Sequence, residues 1–258
     1  METKRFQKSQ LFKAAGRYAQ LENTKQLMRL YKYFSATQRT VDSLKNFRFY
    51  FSKFNELNDP CELSILGCTK EQINLIRFKF LEPNGANGIF CLCEKWDNLH
   101  MWTQYADGHK GIVVEFETDD DKDFFKELDR VNYTVTPPKF AESMKVKEVI
   151  YNKSLDSEKE LEWRVFGNNE LRQINPLAVK AIIFGYRFPR ACSVTTNPSC
   201  EMFEMFPKEK VEAFIELDKL FWNNLMPDMV EYYHTIVEHD TYNLKLSPKF
   251  DKPKKEIT

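Results

Sequence analysis

Short runs of aromatic and β-branched residues constrain this chain more than any other feature. Leu30-Tyr31-Lys32-Tyr33-Phe34, Phe47-Arg48-Phe49-Tyr50-Phe51, Ile89-Phe90-Cys91-Leu92-Cys93, Gly111-Ile112-Val113-Val114-Glu115-Phe116 and residues 178–184 all have strand length and strand composition. Residues 131–135, which end before Pro137-Pro138, and the alternating residues 158–166 add two more candidates. The two aromatic runs at 30–34 and 47–51 are expected to start the sheet. Helical spacing of apolar groups covers residues 4–30, 99–106 and 208–222, and part of 61–80. Residues 123–128 suggest a short helical turn behind the acidic run at 119–121.

The strands are separated by irregular lengths, so an α+β fold fits better than alternating β-α units. No internal repeat and no Gly- or Ser-rich linker divides the 258 residues, and one domain is expected. Its parts are an N-terminal helical segment at 1–29, an α+β domain at 30–246 and a mobile tail at 247–258.

Composition narrows the function. Lys plus Arg equals Asp plus Glu at 38 each, so no global charge excess drives the chain onto nucleic acid or anionic lipid. No apolar run approaches the ~20 residues of a membrane-spanning helix, and residues 1–5 lead into no apolar signal stretch. A cytoplasmic protein with no membrane partner is expected. Six cysteines, at 61, 68, 91, 93, 192 and 200, then read as reduced thiols. Cys91 and Cys93 form a C-x-C pair without the second pair of a zinc site, which leaves two small side chains on one strand face. With 22 Phe and only 8 Gly, the chain holds neither G-x-G-x-x-G nor G-x4-G-K-[ST]. It also lacks a serine nucleophile elbow.

Glu158-Lys159-Glu160-Leu161-Glu162-Trp163-Arg164 is the stretch richest in chemistry. Read as a strand, it places Glu158, Glu160, Glu162 and Arg164 on one face. That face is either a solvated edge or an acidic pair lining a cleft, with the Arg164 fork available to phosphate or carboxylate oxygens. Trp102 and Tyr105, three apart on the expected helix at 99–106, share a face and can wall a pocket. His100 and His109 make no metal triad with Asp97 or Asp107, and His234 and His239 sit in a helix-or-loop context.

The ordered motifs Leu30-Tyr31-Lys32-Tyr33, Phe54-Asn55 with Asn58-Asp59-Pro60-Cys61-Glu62, Cys93-Glu94, Met101-Trp102 with Tyr105-Ala106, His109-x-Gly111, Glu160-x-Glu162-Trp163-Arg164 and Ile182-Ile183-Phe184-Gly185 resemble the bacterial family catalogued as domain of unknown function 2971. Phe34 stands where that family has a basic residue and Cys61 where it has an aromatic one. The chain also resembles ADP-ribosyltransferases, whose sheet is split and whose late strand carries a Glu.

That second resemblance implies a split, mostly antiparallel sheet flanked by helices, with NAD as co-substrate and no metal. It implies Glu162, Glu160 and Tyr105 as catalytic groups, and Tyr31, Lys32, Trp102 and Arg164 as groups that hold the nucleotide. The partners implied are a macromolecular acceptor, nucleic acid or protein, and an antitoxin or inhibitor protein, in the setting of a toxin or phage-defence effector. Two other readings compete: a non-enzymatic sensor module of a defence system, and a metal-dependent nuclease using Asp97, Asp107, Glu160 and Glu162.

Overall fold

The computed structural model describes residues 28–53, 56–57, 59, 61–62, 64–76, 88–141, 143–167, 171–189, 206–222, 226–238, 241 and 243–247. Of the helical spacing expected over 4–30, residues 4–27 lie outside that set and residues 29–30 belong instead to the first strand; the motif residues Phe54, Asn55, Asn58 and Pro60, Cys192, Cys200, His239 and the tail beyond 247 also lie outside it.

Twelve strands are described: β1 Arg29–Phe34, β2 Arg48–Tyr50, β3 Gly88–Cys93, β4 Ile112–Glu117, β5 Leu128–Arg130, β6 Asn132–Thr134, β7 Asn152–Ser154, β8 Glu162–Gly167, β9 Leu171–Gln173, β10 Val179–Phe184, β11 Glu231–Glu238 and β12 Asn243–Leu246. The described helices are α1 Gln38–Asn46, α2 Lys70–Ile76, α3 Leu99–Tyr105, α4 Val146–Ile150 and α5 Lys208–Trp222. The fold is α+β. Eight strands form one sheet in the order β12-β11-β10-β4-β1-β3-β8-β5, antiparallel at every step except β10 against β11.

Pleating gives the central strands two useful faces. One carries Leu30, Phe90, Leu92, Val114, Phe116, Val165 and Ile182 into the main core, where Val41 and Leu44 of α1 and Phe214, Leu217 and Leu220 of α5 also pack. Phe90 lies at the middle of an aromatic network, its ring centroid 5.3–5.9 Å from those of Phe49, Phe51, Phe116 and Phe124. Edge-to-face and offset contacts of this kind add about 0.5–1.5 kcal/mol each beyond area burial, which gives the abundant phenylalanines a structural purpose. On the opposite face α3 lays Met101 and Trp102 over Tyr33, Cys93, Val113 and Ile183.

α1 shows local chemistry deciding an element. The Thr37 hydroxyl accepts from the Thr40 N–H at its start, and Phe47 in the left-handed region ends it with its own N–H on the Ser43 carbonyl.

Several expectations need correction. The second aromatic run does not enter the main sheet: β2 pairs with β9 in a separate ribbon, because Phe49 and Phe51 are drawn into the phenylalanine core from above. Residues 158–166 are not one strand. Leu155–Glu160 is a 3-10 turn capped by Ser154, Leu161 takes φ 49°, and only then does β8 begin at Glu162. Residues 123–127 form turns with Phe124 and Phe125 inward, not a helix, and Leu128 already opens β5. His234 lies on a strand, β11.

Candidate functional site

The sheet nearly parts between β1 and β3. β1 pairs with β4 at six positions and β3 with β8 at six, but β1 meets β3 only at Tyr31 and Cys93. Away from that point the strands diverge. Ser52 occupies the start of β3 by exchanging two 2.9 Å hydrogen bonds with Ile89. Farther along, the Lys32 ammonium donates to the Cys91 carbonyl at 2.8 Å, a bond that a neighbouring strand's N–H would normally supply. A cavity of about 170 Å³ occupies the opening.

Its floor is a buried ion network. Arg164 of β8 uses all five guanidinium donors: Nε and Nη2 go to Glu162 at 2.8 and 2.9 Å, Nη1 and Nη2 to Glu62 at 3.0 and 2.5 Å, and Nη1 to the Ile150 carbonyl at 2.6 Å. Lys153 of β7 reaches Glu160 at 2.7 Å and both Glu162 and Glu62 at 3.3 Å. Tyr105 of α3 donates to Glu160 at 3.3 Å. Three carboxylates, Glu62, Glu160 and Glu162, face two cations, Lys153 and Arg164. Such a set is near break-even for stability, but it fixes where each charge points.

The electrostatics follow from that placement. Burial pushes the Glu162 carboxyl up, yet Arg164 and Lys153 outweigh it and hold the group at about 2. Lys153 is raised: burial opposes its charge, and Glu162, Glu62 and Glu160 prevail. Lys32, between the Phe90 and Phe34 rings at 4.3 and 5.6 Å, is lowered by burial, with a smaller opposing pull from Glu162. Burial and Glu162 raise the Cys91 thiol, so it stays protonated at neutral pH and is no thiolate nucleophile.

Glu162 therefore links stability to acid. Its folded value lies below the unfolded 4.5, so its contribution is complete above about pH 4.5 and is lost as pH falls toward 2. Wild type is expected to lose unfolding free energy more steeply than Glu162→Gln between pH 4.5 and 2.5, measured by urea titration at each pH. Parallel pH profiles would refute the assignment.

Six of the seven site residues named from the sequence, Tyr31, Lys32, Tyr105, Glu160, Glu162 and Arg164, line this cavity. Trp102 does not. Its side chain is fully buried under α3, with Nε1 donating to the Trp96 carbonyl at 2.7 Å, its ring edge-on to Tyr33 and stacked on His109. Met101, one turn from Tyr105, takes the wall position instead. The Arg164 fork is occupied by Glu62 and Glu162 and is not presented to a phosphate. Glu160 and Glu162 converge on Lys153 from a turn and a strand, rather than from one strand face.

Sequence reasoning missed Lys153 and gave Glu62 no role beyond its motif. A lysine between Asn152 and Ser154 carries no sequence signal of burial. Of the acids of the nuclease reading, Glu160 and Glu162 meet at Lys153 but Asp107 pairs with Lys210 at 2.6 Å, and among the described residues no three His, Cys, Asp or Glu are placed to hold a metal ion.

Residues 101–172 match the model of a family described as "Protein of unknown function (DUF2971)", which bears out the first resemblance drawn from the motifs. That stretch holds Tyr105, Lys153, Glu160, Glu162 and Arg164. No curated protein and no solved structure matches the chain. Among the described residues no helix is long and apolar enough to cross a membrane.

Proposed function

We propose that this chain, which shares the network-bearing segment of a family without assigned activity, is an ADP-ribosyltransferase that moves ADP-ribose from NAD to a macromolecular acceptor. The observation that carries the reading is the opening between β1 and β3, where Tyr31, Lys32, Tyr105, Glu160 and Glu162 line one cavity.

In the proposed reaction the bond between nicotinamide nitrogen and ribose C1′ breaks, and nicotinamide leaves with the electron pair. Positive charge spreads over C1′ and the ring oxygen, as in glycoside cleavage. An acceptor nucleophile then bonds to C1′ and gives up its proton. Glu162, ionised at neutral pH and fixed by Arg164 and Lys153, supplies preorganised negative potential for that charge. Glu160 has fewer donors among the described residues: one oxygen meets Lys153 and the other the Tyr105 hydroxyl at 3.3 Å. It is the carboxylate able to hold a ribose hydroxyl or take the acceptor's proton. Lys32, the cavity cation without a carboxylate within ion-pair distance among the described residues, meets the pyrophosphate.

A second reading draws on the saturation of Arg164: the network is a brace, and the cavity binds a nucleotide without turning it over, as in a sensor module. Incubation with adenylate-labelled NAD and cell extract separates the two. Wild type is expected to label an acceptor, and Glu160→Gln to do so more slowly by roughly 10²–10³, the cost of removing one preorganised group. A rise in melting temperature with NAD but no labelling selects the sensor. Neither a shift nor labelling refutes both.

A further inference from the structure

A second polar cavity, of about 390 Å³, opens on the α3 face of the sheet, where β1, β4, β10 and β11 lie side by side. Register builds it. Arg29 stands opposite Glu117, and Glu115 is opposite Ala181, which is opposite Glu231. Cross-strand partners point to the same side, so these side chains converge.

Among the described residues that line it, Glu115, Glu117, Asp120 and Glu231 face Arg29 and Lys180, four acids against two cations. Lys180 is engaged by Asp120 at 2.5 Å and Arg29 by Glu115 at 2.6 Å. Glu231 accepts from the Tyr233 hydroxyl. Glu117 is 1% exposed, yet among the described residues neither of its carboxylate oxygens accepts a hydrogen bond, and its ion-pair partner Arg29 stands off with Nε at 3.6 Å. A buried carboxylate in this condition forfeits its hydration without replacement, a cost that a further donor would remove.

The sign of the imbalance makes that donor a cation. Among the described residues no group of three ligands suits a metal ion, so an organic cation fits better. Ala181 and the half-exposed Met229 supply an apolar wall for methylene groups. Arg29, more than half exposed, already sits at the cavity as an internal substitute that can swing away. We propose that this cavity binds a primary ammonium on an alkyl chain, from a free diamine or from a lysine side chain. The proposal does not rest on the nucleotide reading of the first cavity.

Calorimetric titration of the full chain at low salt tests it, with 1,5-diaminopentane in one arm and Nα-acetyl-lysine amide in the other. Saturable single-site binding of at least one amine is expected, and the tighter arm identifies the source. Glu117→Gln should weaken it about tenfold, the loss of one charge-assisted hydrogen bond. Arg29→Ala should tighten it, because the internal competitor is gone. Glu117→Gln removes a buried charge and should keep its fold; if it does not, Glu231→Gln takes its place with the same expectation. No saturable binding of either amine, or affinity unchanged in the carboxylate variants, overturns the proposal.

Discussion

Arg164→Met is expected to lower the free energy of unfolding by about 3–5 kcal/mol, read as a large fall in the urea midpoint at pH 7. The guanidinium is fully buried and carries two bonds to Glu62, two to Glu162 and one to the Ile150 carbonyl. Methionine fills much of the space but removes the stronger of the two described cations that face these three buried carboxylates, leaving Lys153. The loss comes from those stranded charges rather than from the net worth of the ion pairs, which is small. Adding Glu62→Gln and Glu162→Gln to Arg164→Met should therefore restore a substantial part of the midpoint. If the single variant falls by less than about 1 kcal/mol, or if the triple variant recovers nothing, the network is not the electrostatic unit described.

Gly185→Ala is expected to cost about 3 kcal/mol, at the upper end of overpacking effects, although only one methyl group is added. Its Cβ would lie 2.1 Å from the His109 carbonyl oxygen, 2.7 Å from the His109 carbonyl carbon and 3.0 Å from the Trp102 ring. The backbone cannot yield easily there. Asp107, Gly108 and His109 all have positive φ, and the His109 carbonyl also accepts from the Arg187 N–H. This turn leads directly out of α3, so a displaced turn also shifts Tyr105 and Met101 in the first cavity. The readout is the melting temperature. A change of less than 2 °C would show that the turn relaxes around the methyl group.

The sequence disclosed strands where apolar and aromatic residues dominate. β1, β3, β4 and β10 were legible because their side chains fill a core on one or both faces. α1 was not, because Gln38-Arg39-Thr40-Val41-Asp42 is mostly polar and its cap depends on hydroxyls that serve equally in loops. β11 escaped because its partner in the body of the sheet, β10, lies far back along the chain and Tyr232-Tyr233-His234 alone has no decisive period; β12 escaped because Asn243-Leu244-Lys245-Leu246 is short and half polar. Glu160 and Glu162 illustrate a different limit. Their alternation with Lys159 and Leu161 suits a strand, while the backbone places a 3-10 turn and a left-handed residue between the two acids. Both carboxylates still reach one lysine, so the candidate residues were found by a partly mistaken geometry. Lys153 itself was invisible, since a buried lysine is defined by partners contributed from Glu62, Glu160 and Glu162 in three dimensions.

The Lys32 bond to the Cys91 carbonyl has a consequence for the size of the first opening. Between ordinary neighbouring strands the spacing is fixed at about 4.7–4.9 Å by rigid peptide groups. Here one rung of the ladder is the tip of a four-carbon tether, which changes length by rotating about single bonds. The aperture is thus adjustable by side-chain torsion while the strands on either side stay anchored, β1 by β4 and β3 by β8. A guest entering there can claim the ammonium as its own donor at the expense of one carbonyl bond, without breaking the sheet that frames it.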